Sequence, residues 1–171
     1  MPWETPVPDL AHVAAALDRR YPLVRGAVGN LEVGTHVPNT SSIESSLDEW
    51  VELPGVRMLP FADFPDANHI FYAANDVRRS EVLAERIRAS GRIDPLIIVV
   101  DAEGPYILEG AHRFVALRRL GQTHLPALVA LDTESLAVRL SPVVSTIGER
   151  PVAPASGSHN AARRPGPVRV R

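Results

Sequence analysis

The chain has 171 residues, with 18 basic residues that are all arginine, 20 acidic residues, six histidines and no cysteine. Without lysine or cysteine there is no Schiff-base lysine, Walker-type phosphate loop, thiolate nucleophile, disulfide or cysteine-bound zinc, so any phosphate must be held by Arg, His or backbone N–H groups. Residues 151–171 hold four arginines and no acid, which leaves residues 1–150 with 14 basic and 20 acidic side chains, a net −6 that disfavours a DNA-coating surface. Pro2, Pro6 and Pro8 make residues 1–9 an irregular lead-in. Asp9 then caps a helix over 10–20, whose Leu10, Val13, Ala14 and Leu17 fall at helical spacing. Gly26, Gly29, Asn30 and Gly34 predict loop from 22 to 38. Ser41 to Glu44 has capping-box spacing and predicts a short helix through about 47–50, which ends before the Pro54-Gly55 turn.

The stretch 56–132 is better organised. Val56 to Pro60 reads as a strand and Phe61 to Pro65 as a tight helical turn, followed by a loop through Asn68, His69 and Asn75. A helix is expected over 78–90, with Val82, Leu83 and Ile87 on its apolar face and Gly91 at its C-terminal stop. Leu96 to Val100 is a continuous apolar, β-branched run and reads as a buried strand. A hairpin at 101–105 returns through 106–108, Gly110 ends that strand, and a helix over 111–120 stops at Gly121. Residues 125–131 form another strand, and 133–140 a last helix before Ser141-Pro142. Past Gly148 the Pro/Ala/Gly/Ser/Arg composition reads as a disordered tail. The expected organisation is an N-terminal helical and loop extension (1–54), an α+β domain (55–141) and a Pro/Arg-rich tail (142–171). With no apolar run near the roughly 20 residues of a bilayer span and no leader-like N-terminus, a soluble cytoplasmic protein is expected.

Tyr106 to Phe114 is the most informative segment, because it places Gly110, His112 and Arg113 where a strand hands over to a helix. Helix N-termini present unpaired N–H groups and a partial positive charge to anions. Gly110 permits close approach of an oxyanion, Arg113 adds a bidentate charge, and His112 donates a hydrogen bond or moves a proton. The plainer alternative is a turn whose glycine serves backbone geometry, with His112 and Arg113 solvated. The remaining histidines, His12, His36, His69, His124 and His159, show no metal-ligand spacing, and no Gly-x-Ser-x-Gly elbow is present.

The run Glu109-Gly110-Ala111-His112-Arg113-Phe114 to Leu120-Gly121, preceded by Ile93-Asp94-Pro95-Leu96 and followed by Leu125-Pro126, resembles the ParB/sulfiredoxin superfamily over about residues 55–132. The resemblance implies an α+β fold with a small mixed sheet and a strand-to-helix Gly-x-His-Arg box. Members of that superfamily include CTP-hydrolysing DNA-partition proteins, sulfiredoxins, free-serine kinases and proteins described as nucleases. Ala111 stands where a sulfiredoxin has its reactive cysteine, which excludes sulfinic-acid repair. Partition proteins carry Gly-Glu-Arg-Arg and a following helix-turn-helix domain, for which this chain has too little ordered sequence. The box is most similar to the Asp-Gly-His-His-Arg form of the kinases, with Glu109 for Asp and Ala111 for the first His. That similarity implies Glu109, His112 and Asp76 as catalytic residues, with Glu109 also a Mg²⁺ ligand and Glu81 competing for the place of Asp76. Arg79 and Ser80, at the start of the 78–90 helix, are expected to face the same cleft and contact the other phosphates, and Gly110, Ala111, Arg113, Pro95 and Leu96 complete the expected nucleotide- or phosphate-binding positions. Asp76 equally suits a helix N-cap, Glu109 a solvated strand end and Arg79 a surface charge.

The activity implied is Mg²⁺-dependent binding of ATP or CTP, with hydrolysis or phosphoryl transfer to a small hydroxyl acceptor. The alternatives are a DNA-binding module or nuclease, which the acidic core disfavours, and a secreted effector or toxin domain.

Overall fold

The structure is a computed structural model that describes residues 9–36, 39–65 and 73–140. The readings of residues 1–8, of the segment around Asn68 and His69, and of the tail from Ser141 onward lie outside the described residues. The fold is α+β. Its main sheet is mixed, with β8 (His124–Asp132) at its centre. On one side β8 pairs in parallel with β6 (Leu96–Asp101), which pairs antiparallel with β7 (Gly104–Glu109). Its other side carries two short antiparallel strands in succession, β4 (Arg57–Pro60) against 124–127 and β3 (Trp50–Glu52) against 130–132. A second sheet joins β1 (Ala27–Val28), β2 (Leu31–Val33) and β5 (Arg92–Ile93), with β2 and β5 parallel.

The apolar run 96–100 forms a strand buried on both faces because successive side chains point opposite ways. Leu96, Ile98 and Val100 enter one core with Val13, Leu17, Ile87, Phe114 and Leu117, the inward residues of α1 (Leu10–Arg20), α3 (Ala74–Ser90) and α4 (Ala111–Arg119). Ile97 and Val99 enter a second, smaller core with Tyr106, Leu108 and the Ile43 and Leu47 side chains. Ile43 lies in α2 (Ser41–Ser46), so this short helix covers the opposite face of the sheet. A 3₁₀ turn at Phe61–Asp63 follows β4, and Phe61 and Phe64 both pack edge-on against Phe114, at 4.8 and 5.4 Å between ring centres. α5 (Thr133–Leu140) buries Leu136, and Ser135 Oγ accepts the Ala102 N–H.

Several local expectations are corrected. The segment 22–38 contains β1 and β2, since its glycines at 26 and 29 take positive φ and turn the chain into a tight antiparallel pair. α2 stops at Ser46, four residues short of Trp50, which instead pairs with β8. The helix expected from 78 begins at Ala74 and buries Ser80, Ala84 and Ile87 on its inward stripe, leaving Val82 exposed. β5 has no pattern of its own in the sequence: two residues follow the Gly91 cap and pair only because β2 lies alongside.

Val13, Leu17, Tyr21, Leu31 and Leu53 join the core built by the later strands and helices. Asp63 is buried and accepts from Tyr21 Oη (2.6 Å), Arg20 Nε (3.0 Å) and Arg20 Nη2 (2.6 Å). Arg57, only 3% exposed, donates to Pro54 O at 2.9 Å and Tyr21 O at 3.2 Å, and pairs with Asp18. These two polar clusters clamp α1 to the β4 region, and the charge inside each is satisfied by hydrogen bonds, as burial demands.

Candidate functional site

β7 ends at Glu109 and α4 opens at Ala111, so Gly110 alone makes the turn between strand and helix. Its φ of +100° is a conformation that L side chains rarely adopt. A Cβ on Gly110 would lie 2.7 Å from Leu96 Cγ and 3.3 Å from Arg113 Nη2, so space as well as torsion selects glycine here. Gly110 offers no side-chain cap, and helical geometry leaves the first-turn N–H groups of α4 without intrahelical acceptors. The junction therefore presents donors and the positive end of the helix dipole.

Arg113 folds back beneath this turn. Its Nη1 donates to Pro95 O at 2.6 Å and Asp94 O at 3.1 Å, tying α4 to the entry of β6. Burial lowers the pKa of the guanidinium from its ordinary value, while the charges of Asp94 and Glu109 act in the opposite direction. Pro95 and Leu96 thus contribute a carbonyl brace and a buried floor.

α3 and α4 pack side by side, and their first turns meet at the same place. His112 Nε2 lies 3.1 Å from Asp76 Oδ1, both side chains being a little over one-third exposed. Asp76 is in the first turn of α3, three residues past the Ala73 N-cap, so the N-cap alternative for it is corrected by the earlier start of the helix. Glu81 pairs with Arg119 at 2.9 Å across the two helices and takes no part at His112. Ser80, expected to face the cleft, is fully buried and donates its hydroxyl to Asp76 O at 3.1 Å. Ser80 thus satisfies its hydroxyl within its own helix and offers no exposed group to a ligand.

A groove of about 550 Å³ opens beside the His112–Asp76 pair, lined by Asn75, Arg78, Arg79, Leu83, Arg86 and His112 among others. A second groove of about 570 Å³ shares Leu83 and Arg86 with it and extends past Ile87 to Arg92, Asp94 and Arg113. Arg79, singled out by sequence, is in the first groove. Arg78 and Arg86 were not singled out, although the spacing 79, 82/83, 86 places Arg79 and Arg86 on one helical face. The two grooves together carry five arginines, Arg78, Arg79 and Arg86 of α3, Arg92 of β5 and Arg113 of α4, and the arrangement suits an anionic ligand with several charged oxygens.

Glu109 stands at the end of β7, half-exposed, with Oε1 3.5 Å from Asn39 Nδ2. Its charge also acts on Arg113. The structure thus distributes the two expected carboxylates: Asp76 meets His112, and Glu109 meets Asn39 and the Arg113 charge. Among the described residues no group of three or more His, Asp or Glu side chains is arranged to hold a metal. His12, His36 and His124 lie apart from the grooves' lining, and no described helix is long and apolar enough to cross a membrane.

No family model matches the chain, and no curated protein matches it. Among solved structures, a sulfiredoxin from Arabidopsis thaliana is 24% identical, over 52% of this chain and 99% of that one, with a TM-score of 0.39.

Proposed function

We propose that this chain is a ParB/sulfiredoxin-type nucleoside-triphosphate-binding protein that carries out Mg²⁺-dependent hydrolysis or phosphoryl transfer to a small hydroxyl acceptor. The observation that carries the reading is the junction at Gly110, where a helix N-terminus with no side-chain cap carries His112 onto a groove lined by Arg78, Arg79 and Arg86, while Arg113 lines the adjoining groove. Phosphoryl transfer requires positioning and charge stabilisation more than covalent chemistry, and this junction offers both. The arginines of α3 and the first N–H groups of α4 hold phosphate oxygens. Asp76 fixes the ring of His112, which donates to a phosphoryl oxygen.

Glu109 accepts the proton of the attacking hydroxyl or water. A single half-exposed carboxylate suits a Mg²⁺ ion that arrives on the nucleotide, since Mg²⁺ is usually held by one or two carboxylates, phosphate oxygens and water. When bound, that ion neutralises charge on the phosphates. Arg113 supports the turn from beneath and adds a fixed positive charge behind the phosphates.

A thermal-shift screen of ATP, CTP and GTP, each with and without Mg²⁺, tests the reading directly. A nucleotide present at 100 times its Kd stabilises the fold by about 2.7 kcal/mol. Calorimetry on His112→Ala and Arg113→Ala then assigns the site. Absence of any Mg²⁺-dependent shift, or wild-type affinity in both variants, would remove this reading.

A further inference from the structure

We infer that Asn39 is a positioning residue for Glu109, contributed to the site by the segment that leads into α2. The inference rests on the reading of Glu109 as the carboxylate that receives the proton. Asn39 has φ +37° and, among the described residues, is the one non-glycine residue with positive φ. Strained torsions of this kind persist where surrounding contacts over-determine them, and they concentrate at functional sites.

Those contacts are present here. Asn39 O accepts from Ser42 N at 3.1 Å and from Ser42 Oγ at 2.9 Å, and Ser41 Oγ donates to Asn39 Oδ1 at 2.5 Å. With its oxygen engaged by Ser41, the carboxamide turns its nitrogen outward, and Nδ2 reaches Glu109 Oε1 at 3.5 Å. The mounting is rigid, because Ile43 and Leu47 are buried against Ile97, Val99 and Leu108 on the same strands that end at the site. Glu109 itself is the β7 partner of Ile97, where the register shifts between Ile97 and Ile98. A neutral amide donor restricts the carboxylate to one rotamer without removing its charge, which leaves it able to take a proton. The 3.5 Å separation is the loose spacing that ligand-free sites often show before substrate tightens them.

Asparagine is tolerated at positive φ for backbone reasons alone, and glycine is tolerated better. Asn39→Gly therefore separates the two roles in the full-length chain. With ATP and CTP as probes and Mg²⁺ present, Asn39→Gly is expected to keep the melting temperature and the nucleotide Kd of the wild type while kcat falls about tenfold. Asn39→Asp, which keeps the shape and replaces the donor by a like charge, lowers kcat further. In a Glu109→Gln background Asn39→Gly adds no further loss, as expected for two residues acting as a unit. If the wild type turns over nucleotide and Asn39→Gly matches it, Asn39 serves the backbone only and the inference is overturned. If the wild type turns over neither nucleotide, the Glu109 reading fails first and takes this inference with it.

Discussion

The carboxylate of Asp76, in the first turn of α3, lies 3.1 Å from Nε2 of His112, in the first turn of α4. Two helix N-termini are thereby joined by one polar contact at the mouth of an arginine-lined groove. Because both partners are more than one-third exposed, water competes for the contact and its worth to stability is small. Asp76→Ala is expected to change the unfolding free energy by less than about 1 kcal/mol. The same variant should lower Mg²⁺-dependent turnover about tenfold, by removing the carboxylate contact that orients the His112 ring at Nε2. Urea unfolding and steady-state kinetics on one preparation check the contrast, and equal losses in both would assign Asp76 a purely structural role.

Gly110→Ala places a Cβ at φ +100° and 2.7 Å from a fully buried leucine. Torsional strain of this kind costs about 1–3 kcal/mol. The clash adds to it, because Leu96 sits in the floor of the core and has little room to move. A urea midpoint indistinguishable from wild type would show that the turn is softer than its geometry indicates.

Arg113→Lys keeps a positive charge and loses the planar guanidinium whose Nη1 donates to two successive carbonyls. Losing hydrogen bonds to the Asp94 and Pro95 carbonyls is expected to cost about 1 kcal/mol of stability. Nucleotide affinity is expected to fall as well, since a lysine cannot brace the turn and face the phosphates at once. Calorimetry against the Arg113→Ala variant distinguishes lost charge from lost geometry: if the lysine restores full affinity, charge alone was needed.

Tyr21 and Asp63 give a pH dependence with a definite sign. Burial, with the hydrogen bond to the Asp63 carboxylate, raises the pKa of the Tyr21 phenol above its ordinary value. The folded state therefore favours the neutral phenol more strongly than the unfolded chain does. The resulting stabilisation is complete below about pH 10, the ordinary tyrosine range, and is lost as pH climbs above it. Unfolding experiments between neutral pH and pH 11 should show a decline that is shallower in Tyr21→Phe. A parallel decline in both proteins would place its origin elsewhere. At neutral pH, Asp63→Ala leaves the Tyr21 hydroxyl buried without its acceptor and should cost about 1–3 kcal/mol.

Periodicity and turn chemistry, which are local, made most of the elements legible. The helix at 10–20 with its Asp9 cap, the buried strand at 96–100, the hairpin after it and the helix that follows Gly110 all stand where the sequence places them, because each is specified by residues within one or two turns of itself. The same holds for Gly110, His112 and Arg113, which share one strand-to-helix junction. What the sequence could not determine is what meets that junction from elsewhere. β2 and β5 are too short to carry a pattern, and β5 pairs because β2, itself paired with β1, lies alongside. The buried stripe of α3 runs through Ser80 and Ala84, so a serine that looks like a ligand in sequence is buried and bonded to its own helix in space. Asp76 reaches His112 across 36 residues, and Asn39 reaches Glu109 across 70. Neither contact leaves a trace in spacing, since both depend on how the sheet and two helices close on one another. Sequence determined the chemistry available at the turn, and tertiary packing decided which carboxylate attends the histidine, which is held by an amide, and which arginines face the groove.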